Sequence, residues 1–192
     1  MRVTTQLPNY DLFEAQKVAQ LWERAGLDGI VALENAHNPF FPLVASAMAT
    51  SKIQLGTAVS MAFPRSPTIT AHAGWDIQNA SKGRFYLGLG AQVKAHNERR
   101  YGLQWTPPAP RMRDYIGAVR AIWSAWENET PLDYHSGTYN LTLMTPNFSP
   151  KPNGLPSTSL ISKSPSTRMD PLALMMILAG IDSILADDST MP

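Results

Sequence analysis

The sequence predicts an α/β fold built on a parallel sheet. Three observations carry that prediction. Strand-like apolar runs begin near residues 2, 28, 53 and 84. Helix-periodic segments with start and stop signals lie between them. The second run, DGIVALE at residues 28–34, is nearly continuous rather than alternating, as a strand covered on both faces should be. Repeats of about 25–31 residues suit a strand, a helix and two loops. A doubly wound sheet and a (β/α)8 barrel both satisfy this pattern.

Each element has a local reason. Residues 2–7, RVTTQL, read as the first strand, closed by Pro8 and Asn9. Asp11 is placed to cap the first helix, and Glu14 stands at capping-box spacing. Leu12, Ala15, Ala19 and Trp22 share one face of it, and Gly26 supplies its stop. After the second strand comes the loop NAHNPFFP, then a helix over about residues 41–50. Residues 53–63, IQLGTAVSMAF, form the third strand. Ser66 followed by Pro67 is a cap and a first-turn proline, and the helix they open runs to about residue 81. Residues 84–90, RFYLGLG, are the fourth strand. A long loop precedes a helix opened by Pro110, whose apolar face is Tyr115, Val119, Ile122 and Trp126. The segment LDYHSGTYNLTL reads as a hairpin turning at Ser136 and Gly137.

Composition narrows the function classes. At 192 residues the chain suits one domain or a little more. A net charge of +1 gives no reason to expect nucleic acid or an anionic membrane as partner. The absence of cysteine excludes disulfides and thiolate metal sites. No apolar stretch of signal-peptide length opens the sequence, so a cytoplasmic location is expected. The apolar run at residues 171–186 is shorter than the ~20 residues of a membrane span and contains Asp182. Every Trp, Tyr and Phe lies before Lys151. Residues 1–150 therefore read as one unit, and residues 151–192 as a tail of different character.

The stretch RFYLGLGAQVKAHNERRYG, residues 84–102, poses the functional question. A dinucleotide fingerprint needs G-x-G-x-x-G, and Val93 occupies its third glycine position. Gly83 and Gly88 have phosphate-loop spacing, but Leu89 stands where lysine must be. Gly88 and Gly90 either leave room for a ligand or fit a crowded interior. In parallel α/β folds the functional groups sit at the carboxyl ends of the strands. That rule selects Asn9, then Glu34, Asn35 and His37, then Ser60 and Met61, then Gln92, Lys94, His96 and Asn97. Two histidines and a carboxylate on neighbouring strand ends suit acid–base work. Glu34, His37 and His96 have no metal-ligand spacing, and no metal is expected. Arg99, Arg100, Arg111 and Arg113 suit anion contacts or a solvated helix face.

The segments LGTAVSMAFPRSP and GRFYLGLGAQVKAHNERRYG, with PRMRDYIGAVRAIWSAW and LMTPNFSP, resemble the bacterial luciferase-like monooxygenase superfamily. Within it the chain is similar to the branch of oxidoreductases dependent on coenzyme F420, a deazaflavin. The resemblance covers about residues 1–150. It implies a (β/α)8 barrel, of which this chain supplies about four βα units, a hairpin and the atypical tail. It also implies a flavin or deazaflavin across the carboxyl ends of the strands, and a cis peptide bond at Ala58–Val59. Asn35, Ala58, Val59, Ser60, Gly90, Ala91, Gln92 and Val93 are then expected to line the cofactor. His37, Glu34 and His96 are the expected acid–base residues. Several relatives carry a carboxylate just after the strand-four glycines. Gln92 and Val93 stand there instead, so the resemblance does not assign the proton donor. The implied chemistry is hydride transfer with coenzyme F420 and a small organic substrate, or monooxygenation with FMN. A non-catalytic product that pairs with another subunit through its open strand edges is the contrasting expectation.

Overall fold

Four parallel strand lines, with helices between them, organise the computed structural model, which describes residues 3–8 and 11–154. Asn9 and the apolar run at residues 171–186 lie outside the described residues. In order the elements are β1 (Thr4–Gln6), α1 (Leu12–Arg24), β2 (Gly29–Ala32), α2 (Phe40–Ala49), β3 (Gln54–Thr57), β4 (Ser60–Met61), α3 (Pro67–Ala80), β5 (Phe85–Tyr86), β6 (Leu89–Gly90), α4 (Lys94–Arg99), α5 (Pro108–Asn128), β7 (Tyr134–His135) and β8 (Asn140–Leu141). The sheet order is β1-β2-β3-β5, all parallel, and β4 pairs with β6, also in parallel.

The single strands expected at residues 53–63 and 84–90 are each broken in two. The break follows from one side chain bonding across the sheet. The Thr57 hydroxyl donates to the Gly88 carbonyl at 2.7 Å and accepts from the Gly88 amide at 2.8 Å. A side chain thus takes over backbone bonds at this step. The Ala58–Val59 peptide is cis, as the resemblance implied. The Ser60 amide then donates to the same Gly88 carbonyl at 2.8 Å, which starts the β4–β6 pair. A Cβ on Gly88 would run into the Thr57 carbonyl oxygen, and one on Gly90 would lie 2.5 Å from Val59 Cγ2. Crowding therefore accounts for both glycines.

The caps follow the sequence signals. Asp11 accepts from the amides of Phe13 and Glu14 at 2.7 and 3.2 Å. The Glu14 side chain turns to Lys17. Ser66 accepts from the Ile69 amide at 3.2 Å. The last long helix, α5, begins at Pro108 rather than Pro110. Prolines fit throughout that first turn, because its N–H groups have no partner within the helix. The hairpin forms as expected, with Tyr134 opposite Leu141 and His135 opposite Asn140. Tyr134 ties it to α5 by donating to the Asp114 carbonyl at 2.9 Å. Beyond residue 150, Glu127 of α5 accepts from the amides of Asn153 and Gly154 at 3.2 and 3.0 Å. The largest buried side chains include Trp75 of α3 with Tyr115, Trp123 and Trp126 of α5. Among the described residues no helix is long and apolar enough to cross a membrane.

At the amino ends of the strands two charged residues fix the turn from α2 into β3. The Glu23 carboxylate accepts from the amides of Ser51, Lys52 and Ile53, at 2.7 Å for the Lys52 bond. Burial opposes its charged form. The amides of Ile53, Lys52 and Ser51, with the Ser51 hydroxyl, outweigh that and hold the carboxyl at about 2. From the other side, Arg84 donates to the carbonyls of Ala47, Thr50, Ile53 and Ser81, at 2.7–3.1 Å. Burial lowers the guanidinium pKa, and the nearby Glu23 charge acts against that. A positive charge at the ends of α2 and α3 also complements their dipoles.

Candidate functional site

At the opposite, carboxyl ends of the strands a second charged cluster forms. Glu34 follows β2 by two residues and reaches across to β4. Its carboxylate accepts from the Met61 amide at 2.7 Å and the Ser60 hydroxyl at 3.1 Å. Arg65 completes the set with two parallel bonds, Nη1 to Oε2 and Nη2 to Oε1, both 2.7 Å. Arg65 also donates to the Met61 carbonyl at 2.9 Å and packs over the Phe40 ring. The two side chains are only 10% and 17% exposed. A fork-to-fork pair of this kind fixes geometry as well as charge. Glu34 is thereby committed to holding the β2 loop against β4, and its oxygens are occupied by donors.

Asn35 and His37 are exposed on the loop that follows. His37 lines a cavity of about 370 Å³ with Leu7, Pro8, Leu12, Leu33 and Phe41 among its other walls. The cavity is mainly apolar and lies over the ends of β1 and β2. At the ends of the next strands, Ala58, Val59 and Met61 are half-buried, as is every residue from Gly88 to Val93. Ser60 is fully buried, and its hydroxyl is spent on Glu34. Gln92 adopts a left-handed backbone, φ 61°, which costs a residue with a side chain about 1 kcal/mol or more. Its side-chain oxygen accepts from the Val93 amide at 2.9 Å.

The stretch read as a loop after the fourth strand contains α4. His96 lies on its exposed surface, and its carbonyl accepts from the amides of Arg100 and Tyr101. Arg100 donates to the Asn35 carbonyl at 2.9 Å, which joins the segment after β6 to the loop after β2. Glu34, Asn35, Ser60 and the 90–93 segment are thus brought to one face. Among the described residues no three His, Asp or Glu side chains converge as a metal site. Arg99 and Arg113 are exposed, whereas Arg111 stacks over Phe63 with its guanidinium carbon 4.3 Å from the ring centre. Sequence reasoning missed the pairing of Arg65 with Glu34. The two lie 31 positions apart, and no local pattern joins them.

Val59, Leu89, Gly90 and Ala91 are half-buried apolar residues at these strand ends. Arg65 pairs with the Glu34 carboxylate, so the two charges offset each other.

Comparison with known proteins agrees with the fold. The model of the luciferase-like monooxygenase family matches residues 2–169. An uncharacterized protein of Mycobacterium tuberculosis is 43% identical over 156 residues, which are 81% of this chain and 46% of that protein. A second M. tuberculosis protein, named as a coenzyme F420-dependent oxidoreductase, is 33% identical over 122 residues, 63% of this chain and 34% of its own length. The chain thus spans about half or less of the length of these relatives. Among solved structures, the coenzyme F420-dependent tetrahydromethanopterin reductase of Methanopyrus kandleri superposes with a TM-score of 0.62 at 22% identity, over 73% of this chain and 44% of that one. An FMN-bound type II Baeyer-Villiger monooxygenase of Pseudomonas putida gives 0.67 at 15% identity, over 100% and 64%. At those identities the superpositions speak for the fold, a parallel α/β arrangement of the luciferase-like barrel type. With its family model matched over most of its length, the chain belongs to the luciferase-like monooxygenase family.

Proposed function

We propose that this chain forms the cofactor-facing part of an oxidoreductase that uses coenzyme F420. The carrying observation is the convergence of the β2 loop and the segment after β6 on one face, locked by Glu34–Arg65 and by Arg100 on Asn35. The 33% identical relative named for coenzyme F420 favours the deazaflavin over FMN. When bound, the deazaflavin supplies a hydride to, or takes one from, a small organic substrate. The protein's own residues bind, orient and move a proton. Val59 and residues 90–93 form the floor under the ring. Asn35 and Gln92 present hydrogen-bonding groups at its edge. His37, at the rim of the apolar cavity, is the proton donor or acceptor for the substrate. Glu34 positions the loop that carries His37. His96, exposed on α4, is the second candidate for proton transfer.

Titration separates the readings. Purified protein is mixed with oxidised and reduced coenzyme F420 and, separately, with FMN, and followed by fluorescence and thermal stability. A ligand that binds the folded state raises stability by an amount set by its concentration over its dissociation constant. A shift with the deazaflavin supports the proposal. A shift with FMN alone turns it to the monooxygenase reading, and no shift with either leaves the non-catalytic, subunit-pairing reading.

A further inference from the structure

We propose that Asn97 is a positioning residue that shapes the 90–93 segment for cofactor binding. The inference rests on the reading that this segment faces the cofactor. Asn97 belongs to α4 and is 1% exposed. Its Nδ2 lies 3.0, 3.2 and 3.1 Å from the carbonyls of Ala91, Gln92 and Val93. Three successive carbonyls thus point at one amide group. Carbonyls only accept, so the nitrogen must face them. Each trans peptide is planar, with its N–H opposite its C=O. Drawing three carbonyls inward therefore turns the amides of Gln92, Val93 and Lys94 the other way. It also holds Gln92 in its left-handed conformation.

The Asn97 Oδ1 is buried and meets no protein donor among the described residues. The hydrogen bonds of this side chain to protein therefore all go to the carbonyls of residues 91–93. The backbone on either side is anchored too, with the Asn97 amide on the Val93 carbonyl at 3.1 Å and the Leu103 amide on the Asn97 carbonyl at 2.8 Å. Three residues on, Arg100 ties the same short helix to Asn35. The α4 segment therefore holds the 91–93 backbone and is linked, through Arg100, to the loop after β2.

The test uses the whole chain with Asn97→Ala and Asn97→Asp, and Glu23→Ala as a control that destabilises the far end of the strands. Dissociation constants for coenzyme F420 and FMN are read by fluorescence well below the unfolding temperature. Backbone amide exchange is measured alongside. Both Asn97 variants are expected to weaken binding about tenfold or more, with faster exchange confined to residues 91–94. The control is expected to bind within about twofold of the parent. Asn97→Asp is expected to recover part of its affinity near pH 5 or below, where a protonated carboxyl has one O–H to give. Parent that binds while both Asn97 variants bind within twofold overturns this inference alone. So does exchange that rises across the whole chain. Parent that binds neither cofactor overturns the cofactor-site reading, and this inference with it.

Discussion

The two ends of the sheet use the same pair of residue types in different ways. At the amino ends, Glu23 and Arg84 grip the turn between α2 and β3 from opposite sides. The acid takes the amides of residues 51–53, and the arginine takes the carbonyls of residues 47, 50 and 53. Their donors and acceptors go mainly to backbone, with the Ser51 and Thr50 hydroxyls as further partners. At the carboxyl ends, Glu34 and Arg65 bind each other. Their backbone contacts are fewer and sit where two loops meet. The first arrangement completes the hydrogen bonding of a turn that would otherwise leave backbone groups unmatched. The second is a clasp between the loop after β2 and the turn into α3, at the ends of neighbouring strands. The same chemistry thus serves stability at one end and geometry at the other, as expected for the two faces of a barrel.

Breaking the clasp has the largest expected effect. Glu34→Gln or Arg65→Met leaves a largely buried partner charge unpaired and should cost about 3–5 kcal/mol in urea unfolding. Cofactor affinity should fall with it. A double-mutant cycle should give a coupling of about 1–3 kcal/mol for this pair, and less for Glu23 with Arg84. Next, His37→Gln should lower turnover about a hundredfold, as read by steady-state kinetics at saturating cofactor. Arg84→Met should cost about 2–3 kcal/mol of stability, by stranding four carbonyls, and leave cofactor affinity unchanged. Lysine should rescue it poorly, because one ammonium cannot reach that spread of acceptors.

The smallest effect is expected at Glu23. Its surroundings are partly solvated, so Glu23→Gln should cost only about 1 kcal/mol at neutral pH. The folded carboxyl lies at about 2 against an ordinary 4.5. A depressed folded pKa means the contribution is complete above 4.5 and disappears as pH falls toward 2. The stability gap between the parent and Glu23→Gln should close over that window, as read by chemical unfolding at several pH values. A gap that stays constant down to pH 2 would rule out the amide cradle as its source.

Local signals were legible in the sequence and long-range ones were not. The Asp11 and Ser66 caps, the hairpin turn and the apolar face of α5 each depend on residues a few positions apart. The parallel sheet followed from the repetition of such units. The breaks in the third and fourth strands depend on Thr57 meeting Gly88, 31 positions away, and no periodicity encodes that contact. Helix α4 has six residues and lacks a side-chain cap, so its signal falls below what a pattern can carry. At the site, Glu34, Asn35, Ser60 and Gln92 were reachable from the strand-end rule, and Gly90, Ala91 and Val93 from the family resemblance. Arg65 and the purpose of Asn97 were not, because a charged or amide side chain announces neither its partner nor its direction.

The tryptophans of the α3–α5 seam have an optical consequence. Trp75 and Trp126 meet edge to face with centres 5.4 Å apart, and His72 leans on Trp126 at 4.6 Å. Trp123 is buried in the same seam. Intrinsic emission from this chain therefore comes largely from the outer helical layer. An emission change on adding a coloured cofactor would report light absorption or energy transfer across the sheet, whereas a change on heating would report the parting of α3 and α5.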